Sequence, residues 1–133
     1  MFLDRLLNDG STPLLEQWLQ FTEARHRLLT EDVVNASTPN YVQKDLSLEQ
    51  FQVMLRDKLR EAQSGGSGTV SYDDVTDQVQ HPVRGMLFHD GNNRSMEQLM
   101  TDQAKNALMH TLAVELLRRQ YATMEMALKE RIS

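Results

Sequence analysis

The stretch MEQLMTDQAKNALMHTLAVELLRRQYATMEMALKER, residues 96–131, decides the reading of this chain. It contains neither Gly nor Pro. Ser95 stands before it and Gln98 follows three positions on, the pattern of a capped helix start. Asp90-Gly91-Asn92-Asn93, just ahead, reads as a turn. A helix of about 35 residues rising 1.5 Å per residue spans roughly 50 Å, long for a compact domain. Met96, Met100, Gln103, Ala107, His110, Val114, Leu117, Tyr121, Met124 and Leu128 recur at four- and three-residue steps, the spacing of a heptad seam. Leu99, Leu108, Leu112 and Leu116 widen that stripe. The pattern predicts a long helix that lies along another helix.

The partner is a second helix over roughly 12–36. Ser11 or Thr12 suits its cap, and Pro13 falls where a missing N–H costs nothing. Leu15, Leu19, Thr22, His26, Leu29, Val33 and Ala36 repeat the four-three spacing, with Thr22 and His26 as polar interruptions. Leu14, Trp18, Phe21 and Leu28 form another apolar stripe beside it, so this helix calls for more than one neighbour. Pro39 disfavours helical geometry at Thr38 and ends the element.

Between the two helices the pattern is mixed. Ser47 with Gln50 forms a capping box, and Leu48, Phe51, Met54, Leu55 and Leu59 share a face, which predicts a short helix over 47–63. Gly65-Gly66-Ser67-Gly68 reads as a flexible break. Residues 69–72 and 86–88 are compatible with short strands of a small β-hairpin, with Asp73-Asp74 and His81-Pro82 as loops. The expected fold is therefore mainly α. Long N- and C-terminal helices (segments 1–36 and 94–133) pair as an α-helical coiled coil around a short mixed middle segment, 37–93, and together make one core domain.

Composition narrows the function. The 133 residues carry 14 Lys and Arg against 19 Asp and Glu, a net charge of −5. Nucleic-acid binding needs a basic stripe that displaces counterions, so no nucleic-acid partner is expected. Aromatic residues are only 6%, and eight Met supply adaptable apolar surface suited to helix interfaces. The mean hydropathy is −0.52. No apolar run is long enough for a membrane span. Residues 1–10 carry Asp4, Arg5 and Asp9 around a short apolar patch, so a cleaved secretory signal is not expected. The absence of Cys removes disulfides, zinc–thiolate sites and cysteine nucleophiles.

Catalytic patterns are missing as well. The Gly65–Gly68 run lacks the Gly-Lys-Ser/Thr ending of a phosphate loop and is not a nucleophile elbow. His26, His81, His89 and His110 include no pair at helical i, i+4 spacing, and they read as surface or interface imidazoles. His26 and His110 fall in the heptad seams, where a polar residue can set register. Glu31-Asp32 and Asp73-Asp74 read as solvated charges rather than an acid–base pair. The chain is expected to be no enzyme, with no catalytic residues, no metal ligands, no cofactor and no small-molecule substrate.

One local run carries more. Asn35-Ala36-Ser37-Thr38-Pro39-Asn40-Tyr41 resembles the Asn-Ala-x-Thr-Pro-Gly-Tyr consensus of flagellar rod, hook and hook-associated proteins. In physical terms it is a helix stop followed by a tight turn. Pro39 presets the first central position. A type II turn then demands positive φ at Asn40, where the family carries Gly. Tyr41 is placed to fold back on the helix end. His26-Arg27, Leu29, Lys44 and Asp45 continue the resemblance. Asp32 stands where the family has Asn, and Val34 where it has Ala. Asp90-Gly91-Asn92-Asn93, Glu97, Met100 and Asn106-Ala107-Leu108 resemble the start of the family's C-terminal helix, and the match continues to Ile132. The short middle segment points to the basal-body rod proteins of the proximal, FlgB, type.

That resemblance implies a structural subunit of the proximal rod, passed through the flagellar type III export apparatus and polymerised in the periplasm to transmit torque from the inner-membrane ring to the hook. Its partners would be copies of itself, other rod subunits, and the ring with its adaptor protein. Assembly would use Leu15, Trp18, Leu19, Leu29 and Val33 on the first helix. On the last it would use Met100, Ala107, Val114, Leu117, Tyr121, Met124 and Leu128. The turn motif is Asn35, Ala36, Thr38, Pro39, Asn40 and Tyr41. Two other readings stand beside this one. The first is a cytoplasmic helical interaction module, an adaptor or export chaperone. The second is a small enzyme built on loops around His81 and His89.

Overall fold

A computed structural model describes residues 11–64, 71–80, 87–89 and 94–132. Among these the chain forms α1 (Ser11–Val34), β1 (Lys44–Leu46), α2 (Leu48–Gln63), α3 (Asp73–Gln80), β2 (Leu87–His89) and α4 (Met96–Ile132). The fold is mainly helical, as expected. The Gly65–Gly68 break, His81-Pro82, the Asp90–Asn93 turn and residues 1–10 lie outside the described residues.

Helix α4 runs 37 residues, roughly 55 Å, and α1 lies antiparallel against its middle. The hydrogen bonds between them mark the direction. The Thr12 hydroxyl donates to Gln120, Asn106 Nδ2 donates to the Thr22 carbonyl, and Gln103 Nε2 donates to Thr30. Helix α1 ends at Val34, earlier than the sequence reading, and Asn35 and Ala36 bond back to the Glu31 and Val33 carbonyls.

The packed line on α4 differs from the expected seam. The buried residues are Leu99, Asn106, Ala113 and Leu117. Met100, Ala107, Tyr121 and Leu128 are exposed instead, and Val114 and Met124 are half-buried. The seam is thus shifted by one position at alternate steps. Its cause is polar: Asn106 is drawn inward by its bond to Thr22 O (2.8 Å), with His110 Nδ1 3.0 Å from the Thr22 hydroxyl. Leucine spacing alone does not reveal such a pair.

The second stripe of α1 has its neighbour inside the chain. Phe21 joins Leu46, Phe51, Leu55, Val75 and Val79 in a buried core, with Leu14, Trp18 and Leu28 packed on it. Phe21 and Phe51 stack at 4.2 Å between centroids, and Trp18 meets Phe51 edge-on at 5.1 Å. Aromatic pairs of this kind add about 0.5–1.5 kcal/mol beyond area burial. The additional neighbour that α1 calls for is thus supplied by β1, α2 and α3 of the same chain.

Among its described residues the middle segment holds two helices, where the sequence predicts one. Helix α2 begins as read, with the Ser47 hydroxyl accepting from Gln50 N–H. The second, α3, lies where Asp73-Asp74 suggested a loop. The two acids occupy its first turn, favourable to the helix dipole, and Val75 and Val79 bury one i, i+4 stripe. Gln17 and Thr76 exchange hydrogen bonds between α1 and α3, and Lys58 pairs with Asp74 at 3.0 Å. No local hairpin forms with 71–72. Strand β2 pairs antiparallel with β1, Lys44 opposite His89 and Leu46 opposite Leu87.

Candidate assembly surface

The turn after α1 is built almost wholly from its own motif. Tyr41 N–H donates to the Thr38 carbonyl across Pro39-Asn40, and Asn40 has φ 63°. That is the positive φ a type II turn requires at its second central residue. Asn35 Nδ2 donates to the Glu31 carbonyl, and Asn35 Oδ1 accepts from the Thr38 hydroxyl. Asn35 therefore ties the last helical turn to the turn residues. Ala36, Thr38 and Pro39 are exposed.

Tyr41 does fold back. Its hydroxyl donates to Asp32 Oδ1 at 3.2 Å, and Lys44 N–H donates to the same oxygen at 3.0 Å. Asp32 is fully buried, contrary to its reading as a solvated acid. Loss of water pushes its carboxyl above the ordinary range, although both donors and the Arg94 charge favour ionisation. Burial and the Asp32 carboxylate together raise the Tyr41 phenol.

Beyond the turn an ionic network joins β1 to both long helices. Arg25 of α1 grips Asp45 with two hydrogen bonds, at 2.9 and 3.1 Å. Arg94 bridges Asp45 (3.1 Å) and Asp102 of α4 (2.6 Å). Gln43 Nε2 donates to the Arg94 carbonyl, and Gln43 Oε1 accepts from Arg94 N–H. Asp45 is buried, so removing one arginine would leave its charge to a single cationic partner, and removing both would strand it. In the sequence Lys44 and Asp45 stand out only as matches to a family pattern. The network forms between distant residues, and nothing in their local spacing announces it.

The remaining feature is the outer face of α4. Residues 106–114 include no Asp, Glu, Lys or Arg. Leu108 is 71% exposed, Leu112 60% and Met100 57%. Leu112 and Leu116 also edge a small apolar socket of about 160 Å³ formed with Leu15, Trp18, Met109 and Ala113. On the opposite flank a groove of about 520 Å³ runs between the helices past His26, Arg27, Ala107 and His110. Of the first-helix residues singled out in the sequence, Leu29 is buried and Leu15, Trp18, Leu19 and Val33 are half-buried. Tyr121 is held to the side by donating to Glu16 at 2.9 Å.

His26 is exposed, and His110 is bound to Thr22 rather than open. His81 and the side chain of His89 lie outside the described residues. Among the described residues no three His, Asp or Glu side chains cluster to hold a metal, and no helix is long and apolar enough to cross a membrane. Comparison with known protein families, characterised proteins and solved structures finds no match to the chain.

Proposed function

We propose that this chain is a structural, non-enzymatic subunit of the bacterial flagellar basal-body rod, of the proximal type, assembling through its two long helices. The observation that carries the reading is the outer face of α4, where Leu108 and Leu112 stand exposed within the uncharged stretch 106–114 and Met100 is exposed two turns before them. An apolar helix stripe that its own chain leaves uncovered calls for a further neighbour. Here α1 packs along one side of α4. Burying each leucine fully against a neighbouring copy would contribute roughly 1.5–3 kcal/mol. The turn after α1 supports the family reading, since its Pro-Asn geometry fits a consensus that carries Gly at that place.

In this reading α1 and α4 pair as a coiled coil within each subunit, and the leucine ridge of α4 meets the next copy in the periplasmic rod. The partners are further copies, other rod subunits, the inner-membrane ring with its adaptor, and the type III export apparatus. Leu112→Glu tests it. The variant should be made and folded yet fail to enter rods, leaving cells non-motile. Normal swimming with this variant would refute assembly through α4.

A second reading rests on the closed aromatic core. Because α2 and α3 cover the second stripe of α1, the chain holds a core of its own, as a monomeric helical adaptor or chaperone would. Persistence of the wild-type protein as a cytoplasmic monomer, absent from purified basal bodies, would favour it.

A further inference from the structure

The Asp32 carboxyl is the one feature at the turn whose chemistry the assembly reading leaves unused. Its side chain is fully buried beneath the turn. Oδ1 accepts from the Tyr41 hydroxyl and from Lys44 N–H. Oδ2 is also buried and has no hydrogen-bond partner among the described residues. The nearest charges also engage one another, although Arg94 still favours the ionised form of Asp32. Arg25 grips Asp45, Arg94 bridges Asp45 and Asp102, and Asp45 itself adds a like charge beside Asp32. A carboxylate with one oxygen sealed away from both water and donors is costly, whereas a neutral carboxyl leaves only an uncharged hydroxyl to accommodate.

We propose that Asp32 is a proton-controlled latch: neutral, it holds Tyr41 and the start of β1 against the end of α1, and its ionisation releases them. The proton leaves Oδ2 to solvent, and the charged group reaches water only if the Tyr41–Lys44 segment lifts. Lys44 also pairs with His89 across β1 and β2, and Asp45 follows it. Opening therefore loosens the join between α1 and the start of α4. The groups facing Asp32 are Tyr41, Lys44 and Asp45 from the turn and β1, and Arg94 ahead of α4, with Glu31 of α1 acting on Tyr41.

The sign follows from the upward shift of Asp32. With the closed-state pKa above the open-state value, latching is strongest below the ordinary carboxylate range. It weakens as pH climbs, by up to about tenfold in the opening equilibrium per pH unit, and is lost above the closed-state midpoint. The latch is independent of the rod assignment and is tested on the isolated chain. Amide hydrogen exchange at Lys44, corrected for intrinsic rates, is followed from acid to mildly alkaline pH in wild type, Asp32→Asn and Tyr41→Phe, with carbon NMR of the Asp32 carboxyl in parallel. Wild-type protection should fall about tenfold or more across the titration. Asp32→Asn, permanently uncharged, should hold it constant within about twofold. Tyr41→Phe should move the carboxyl midpoint further up, since the ionised form loses a donor. A midpoint at or below the ordinary carboxylate value, or Lys44 protection that stays flat through the midpoint, overturns the latch.

Discussion

Asn40 is held at φ 63° by a turn that its own neighbours define. Glycine reaches that region without a Cβ penalty, and a β-branched residue does not. Asn40→Gly should therefore match or slightly exceed wild-type stability, while Asn40→Val should cost about 1–2 kcal/mol. Urea unfolding of the purified chain measures both, and equal midpoints for the Val and Gly variants would contradict the turn assignment. Asn40 was readable from sequence because Pro39, the helix end and the turn lie within a few residues. Asp32 was not readable. Its burial depends on Tyr41 and Lys44 folding over it, and an acid next to Glu31 looks like any solvated pair. The same holds for Asp45, whose role exists only once Arg25 and Arg94 converge from either side of the chain.

Helix α4 shows how far periodicity reaches. Its extent and capping serine were plain in the sequence, since no Gly or Pro interrupts 96–131 and Gln98 N–H does bond the Ser95 hydroxyl. Its rotation was misread, because a buried Asn at 106 replaces the apolar residue that heptad reading expects. Helix α3 was missed for a related reason. Asp73-Asp74 resembles a loop in isolation, yet two acids at a helix start favour the element, and its apolar face is only Val75 and Val79. The corrected rotation has a consequence at the same scale. Leu117 is buried beside α1, whereas Leu112 stands on the outer ridge. Leu117→Glu should destabilise the isolated chain by several kcal/mol, as an unpaired buried carboxylate does. Leu112→Glu should change its stability by less than about 0.5 kcal/mol. Thermal unfolding of the two variants at low concentration decides this, and the reverse order would place the seam back on the expected residues.

At the scale of the whole molecule, α1 serves two masters. One side closes the core with α2 and α3, and another lies along α4. The two long helices were visible in the sequence as periodic runs, whereas the packing of β1, α2 and α3 onto α1 was not, because it joins residues far apart in the chain. What remains uncovered is concentrated on α4, and the rod proposal stands or falls on what meets that ridge. Imaging of intact basal bodies at side-chain resolution is the most direct test. The account predicts this chain within the proximal rod, with Leu108 and Leu112 of α4 buried against the adjacent subunit. Density that excludes this chain from the rod, or that places it there with Leu108 and Leu112 facing solvent, would contradict it.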